Sequence, residues 1–89
     1  MKPEHVIKVV TRYETDLKER SGVEPVQNPN AKTVEERLQH ASWMCGEVRR
    51  FVAEQPTLDK AERWLGFIQG VLWGAGVYSI DEMRVDNRT

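Results

Sequence analysis

Residues 33–53 read TVEERLQHASWMCGEVRRFVA, and the spacing of their apolar side chains decides the fold. Val34, Leu38, Ala41, Cys45, Val48 and Val52 recur at intervals of three and four. At roughly 100° per residue they form one narrow stripe along a helix, widened on one side by Met44 and Phe51. Thr33 supplies the start. Its hydroxyl can cap the amide of Glu36, whose carboxylate can reach back to the amide of Thr33, the reciprocal arrangement of a capping box.

The chain on either side reads in the same way. After 54–56, EQP, the residues Leu58, Ala61, Leu65, Ile68, Leu72 and Ala75 recur at helical spacing, with Trp64 and Val71 beside them and Thr57 placed to cap. So short a link folds the third helix back on the second as a hairpin. Upstream, Val6, Val10, Tyr13 and Leu17 make a first helix, with Ile7 and Val9 widening its stripe. Pro3 suits its first turn and Gly22 its end. The stretch VEPVQNPNAK, with two prolines and two asparagines, is a loop. Ser79-Ile80-Asp81-Glu82 repeats the capping box, with Tyr78 and Met83 spaced as a hydrophobic staple across it. No segment alternates with period two. The reading is an all-α domain, a small helical bundle built on an antiparallel hairpin, with helices at about 3–20, 33–53, 57–75 and 79–87 and a loop at about 22–32.

The third helix carries a contradiction. Gly66, Gly70 and Gly74 lie along one ridge outside its apolar stripe. Each glycine within a helix costs about 1 kcal/mol relative to alanine, and a domain of this size has only about 5–10 kcal/mol of net stability. Glycine permits close backbone approach, and three uses of the ridge are open: packing by the first helix or by the Trp73 indole within one monomer, a subunit interface across a two-fold axis, or a ligand cleft. Trp73 leans back over the preceding turn, toward that ridge.

Trp43 raises the opposite problem, because it projects about 180° from the centre of the second helix's stripe. Its neighbours on that outer face are Glu36, Gln39, Glu47 and Arg50. The ring is either covered by the first helix or by the 22–32 loop, or it anchors an interface, where Trp and Arg are favoured. The candidate interaction residues are therefore Trp43, Gln39, Glu47, Arg50, Gly66, Gly70, Gly74 and Trp73.

Composition narrows the function classes. The 89 residues make one domain with a single small core. Thirteen basic and fourteen acidic residues leave a net charge of -1, which lacks the footprint of a dedicated nucleic-acid binder. A helix-turn-helix built on Gly76-Val77 would carry Asp81, Glu82 and Asp86 toward phosphates, the wrong sign. One cysteine cannot make an internal disulfide, MKPEHVIKVV lacks the apolar core of a signal peptide, and no apolar run can span a bilayer. The expectation is a cytoplasmic protein. Cys45 belongs to the inward stripe and reads as a core residue. Glu36 and His40, four apart, could share a metal, but no further ligands can be assigned, so no metal or cofactor is expected. The remaining acids read as solvated helix exteriors, and no phosphate loop, zinc pattern or serine elbow is present.

The segments HASWMCGEVRRFV, KAERWLGFIQGVLW and GVYSIDEMRVDNR resemble small uncharacterised proteins encoded by tailed bacteriophages and prophages, over Thr33 to Arg88. WLGFIQG and SWMC carry most of the likeness. The resemblance implies a phage accessory gene and provides no active site to transfer. The resulting expectation is a non-enzymatic protein that binds a host protein, such as a defence or replication factor, and assembles as a homodimer. The alternative is a homo-oligomer that binds a nucleotide or similar small molecule through Arg50, Arg63 and the tryptophans. A nucleic-acid binder ranks below both.

Overall fold

The computed structural model describes residues 1–54 and 58–88. Among them are four helices and no strand: α1 (Pro3–Ser21), α2 (Val34–Glu54), α3 (Asp59–Gly74) and α4 (Ile80–Asn87). The expected all-α bundle is the observed one. The cap expected at Thr57 lies outside the described residues.

α2 is the central element. It packs along α1 on one side and α3 on the other, whereas α1 and α3 touch over much less of their length. The hairpin is antiparallel: Phe51 near the end of α2 meets Trp64 near the start of α3, edge to face at 4.8 Å, while Val34 and Arg37 share a hollow with Gly70 and Gly74. Between the helices lie Val6, Val10, Tyr13, Leu17, Leu38, Cys45, Val48, Leu65, Ile68 and Leu72, all buried. Each fully buried aliphatic side chain contributes about 1.5–3 kcal/mol of transfer free energy.

Both capping boxes form. The Glu36 amide donates to Thr33 Oγ1 at 3.1 Å and the Thr33 amide to Glu36 Oε1 at 3.0 Å. The Ser79–Glu82 pair does the same at 3.1 and 2.9 Å. α1 and α3 end on glycines with positive φ, Gly22 at 64° and Gly76 at 75°, a region closed to most side chains. After α3 the Gly76 amide donates to the Trp73 carbonyl and the Val77 amide to that of Leu72, the paired bonds of a Schellman turn.

Five side chains depart from the stripes: Ile7, read as widening the α1 stripe, and Val34 are exposed, and Ser42, Gln69 and Asp86 are buried. Val34 is 59% exposed, because it sits at the first position of α2, beside the end of α3 rather than between the helices. Gln69 and Asp86 are buried, although polarity placed Asp86 on a solvated exterior. They belong to one network. Tyr13 donates to Asp86 Oδ2 at 2.9 Å and accepts from Gln69 Nε2 at 3.0 Å, and Gln69 also donates to Asn87 Oδ1 at 2.7 Å. Arg12 forms an ion pair with Asp86. Burial raises the Tyr13 phenol well above its ordinary pKa, so it remains a donor. Tyr78, whose ring lies 5.1 Å from that of Tyr13, donates to Asp16. These bonds tie the short α4 to α1 and α3, where its few apolar residues alone would hold it weakly.

The 22–32 loop has no regular structure, yet it is fastened to α2. The Val26 amide donates to the Gln39 carbonyl at 3.1 Å, and the Asn28 amide to His40 Nδ1 at 2.9 Å. The Asn28 side chain reaches Glu36 at 3.3 Å and accepts the Asn30 amide at 3.1 Å. No helix among the described residues is long and apolar enough to cross a membrane.

Candidate functional site

From Trp64 to Gly76 the chain contains no charged residue, and Gln69, its one amide side chain, is turned inward. From Trp64 onward the outer face of α3 is consequently apolar or bare backbone, charged residues such as Lys60, Glu62 and Arg63 being confined to its first turns. Phe67 is 59% and Trp73 55% exposed. A Cβ added at Gly66, Gly70 or Gly74 would find no atom within 4 Å. Neither α1 nor the Trp73 indole fills the ridge, so the intramolecular packing use is not the observed one.

Beside this ridge runs a groove between α2 and α3. It consists of three adjoining hollows of about 360, 320 and 210 Å³. The first lies over Met44, Arg63 and Trp64; the second under Asn28, Pro29 and Ala31 of the loop; the third between Val34 and Gly74. His40 and Phe67 are shared by the first two, and Arg37 and Val71 by the last two. The charged residues of the lining are Arg37 and Arg63, and neither forms an ion pair among the described residues. No Asp or Glu lines the three hollows. His40 accepts the Asn28 amide at Nδ1, which leaves Nε2 to carry the proton of the neutral ring.

The sequence-derived residues divide over the structure. Gly70 and Gly74 form one wall of the groove. Gly66 lies on the other shoulder of α3, against Met1, Glu62 and Asn87. Trp73 stands on the same outer face beyond the groove lining. Trp43 needs correction: its ring is half-buried, stacked on His40 at 5.3 Å and tilted against Trp64 at 6.2 Å. The helical wheel gives the direction of Cβ, but a long side chain lies along the helix surface, and this one reaches the seam with α3. Gln39 is half-buried and takes the loop through its carbonyl. Arg50 is exposed but held by Glu47 at 2.5 Å and Glu54 at 3.0 Å, so it is not a free cation for a nucleotide phosphate. Its guanidinium lies over Phe51 at 5.1 Å and is raised in pKa chiefly by the Glu47 hydrogen bond.

Glu36 and His40 are both committed elsewhere, Glu36 to the cap and His40 to the loop. Among the described residues no three His, Cys, Asp or Glu side chains are grouped to hold a metal. Burial pushes the Cys45 thiol up to about 12. The groove residues missed in the sequence are Phe67 and Arg37; Val34, read as part of the inward stripe, also lines the groove. Phe67 carried a legible signal: on the wheel it falls about 60° from Gly70, outside the core stripe. Arg37 carried none, since an exposed arginine in the first turns of a helix is commonplace.

No known protein family, curated protein or solved structure matches this chain.

Proposed function

We propose that the protein is a non-enzymatic phage accessory protein that acts by docking a host protein in the α2–α3 groove. The observation that carries this reading is the exposed Phe67 beside a glycine wall that no side chain among the described residues covers. A large apolar ring and bare helix backbone on one charge-poor face are features of contact surfaces rather than of solvated ones. The phage and host assignment rests on the WLGFIQG and SWMC resemblance.

The test is affinity capture from bacterial host extract with the parent protein, Phe67→Ser and Trp43→Ala. Phe67→Ser should fold normally and lose the captured protein. Trp43→Ala should loosen the hairpin, because its ring packs against Trp64. A folded Phe67→Ser variant that captures as well as the parent would sink the groove reading.

A second reading is a homodimer through the glycine ridge, favoured by the exposed Trp73 next to Gly70 and Gly74. It predicts a dimer by light scattering that Gly70→Leu converts to monomer with helicity retained.

A further inference from the structure

The charges of the groove say more about its occupant than its shape does. The chain has one more acidic than basic residue, yet the lining has two arginines and no carboxylate. Elsewhere Arg12, Arg49, Arg50 and Arg84 have carboxylate partners, while Arg20 and Arg88, outside the groove, form no ion pair among the described residues. Arg37 and Arg63 have none among the described residues, and both stand at a trough whose other lining residues are apolar apart from Asn28 and His40. On that observation, and resting on the protein-docking reading above, we infer that the groove receives an acidic amphipathic helix of another protein.

Geometry specifies that helix further. Along α3 the groove runs from Arg63 to Ala75, about 18 Å at 1.5 Å per residue, the length of a helix of about twelve residues. Arg37 lies level with Gly70 and Val71, so the two guanidinium-bearing positions are offset by about 11 Å along the groove, or two helical turns. The complementary segment presents apolar residues at i, i+3, i+4 and i+7 to Phe67 and Val71, with acidic residues about seven apart at its edges. Gly70 and Gly74 let its backbone approach closely on one wall. A helix satisfies its own backbone groups, which this apolar lining could not do for an extended strand. A second copy docked groove to groove across a two-fold axis would bring its own Arg37 and Arg63 into the same groove, without a carboxylate to oppose them.

The probe is a fluorescein-labelled synthetic amphipathic peptide of fourteen residues, with leucines on one face and glutamates seven apart. Its twin has lysine for each glutamate and the same leucine face. By fluorescence polarisation the glutamate peptide should bind the parent on the order of ten-fold more tightly than its twin, since two exposed ion pairs change sign between them. The double variant Arg37→Glu, Arg63→Glu should reverse that preference, and Phe67→Ser should weaken both peptides. Circular dichroism confirms folding of each variant, all three positions being solvent-exposed. Equal binding of the two peptides, or of neither, overturns the inference. So does a groove-dependent dimer, or salt-sensitive binding of single-stranded DNA that the double variant abolishes. Capture from extract that Phe67→Ser removes and the double variant leaves unchanged overturns the acidic-helix inference alone; capture unaffected by Phe67→Ser removes the docking reading beneath it.

Discussion

Replacing Gly66 and Gly70 by alanine, singly and together, separates folding from docking at two positions one helical turn apart. Both glycines lie inside α3 and neither has a positive φ. An added methyl group meets no atom within 4 Å at either site. The steric cost in the free protein is therefore nil, and the helix gains about 1 kcal/mol per site from lower backbone entropy in the unfolded chain. The double variant should be about 2 kcal/mol more stable, which for a domain of this size raises Tm by about 8–16 °C. Urea titration followed by far-ultraviolet circular dichroism, at two protein concentrations, measures it. The two sites differ in what they face. Gly70 belongs to the groove wall and Gly66 to the opposite shoulder. Gly70→Ala should thus stabilise the protein and weaken groove docking, whereas Gly66→Ala should stabilise it and leave docking as in the parent. A double variant no more stable than the parent at either concentration would refute the reasoning, since the ridge would then be in contact with something in the free protein. Destabilisation confined to high concentration would identify that contact as a second copy.

Three further outcomes follow from the interior and from the helix caps. Asp86→Ala removes the partner of Arg12 and Tyr13 and should cost about 1–3 kcal/mol, with α4 amides exchanging first; a urea midpoint equal to the parent's would show that the network does not hold α4. The Cys45 thiol, pushed up to about 12 by burial, should resist Ellman's reagent at mildly alkaline pH and react fully in urea; rapid reaction of the native protein would contradict its burial. Glu36 and Glu82 are held below the usual carboxylate range by the backbone amides of Thr33 and Ser79. Their contribution is complete above the ordinary glutamate pKa and is lost as pH falls through the lowered values. The stability advantage of the parent over Glu36→Gln, Glu82→Gln should therefore shrink on acidification, and an advantage that stays constant or grows would reverse the assigned sign.

Helix positions were legible because their causes are local. A stripe at intervals of three and four, a Thr or Ser three residues before a Glu, and a glycine at the end each act within one or two turns, and Thr33, Ser79, Gly22 and Gly76 all perform as their types require. The openness of the glycine ridge was half legible: the wheel placed it outside the core stripe, but whether α1 or Trp73 would cover it depended on how the helices pack.

The sequence by itself thus determined an all-α hairpin, its caps, the apolar stripe of each helix and a backbone-exposing ridge on α3. Tertiary structure alone decided which half-exposed faces meet. It laid Trp43 on Trp64, buried Asp86 under Tyr13, fastened the 22–32 loop to His40, and brought Arg37 of one helix alongside Phe67 and Gly70 of another. The physical reason is range. Periodicity and capping act between residues a few positions apart, whereas a groove is the space left between two helices, and the residues of its two helical walls are about twenty or more positions apart in the chain.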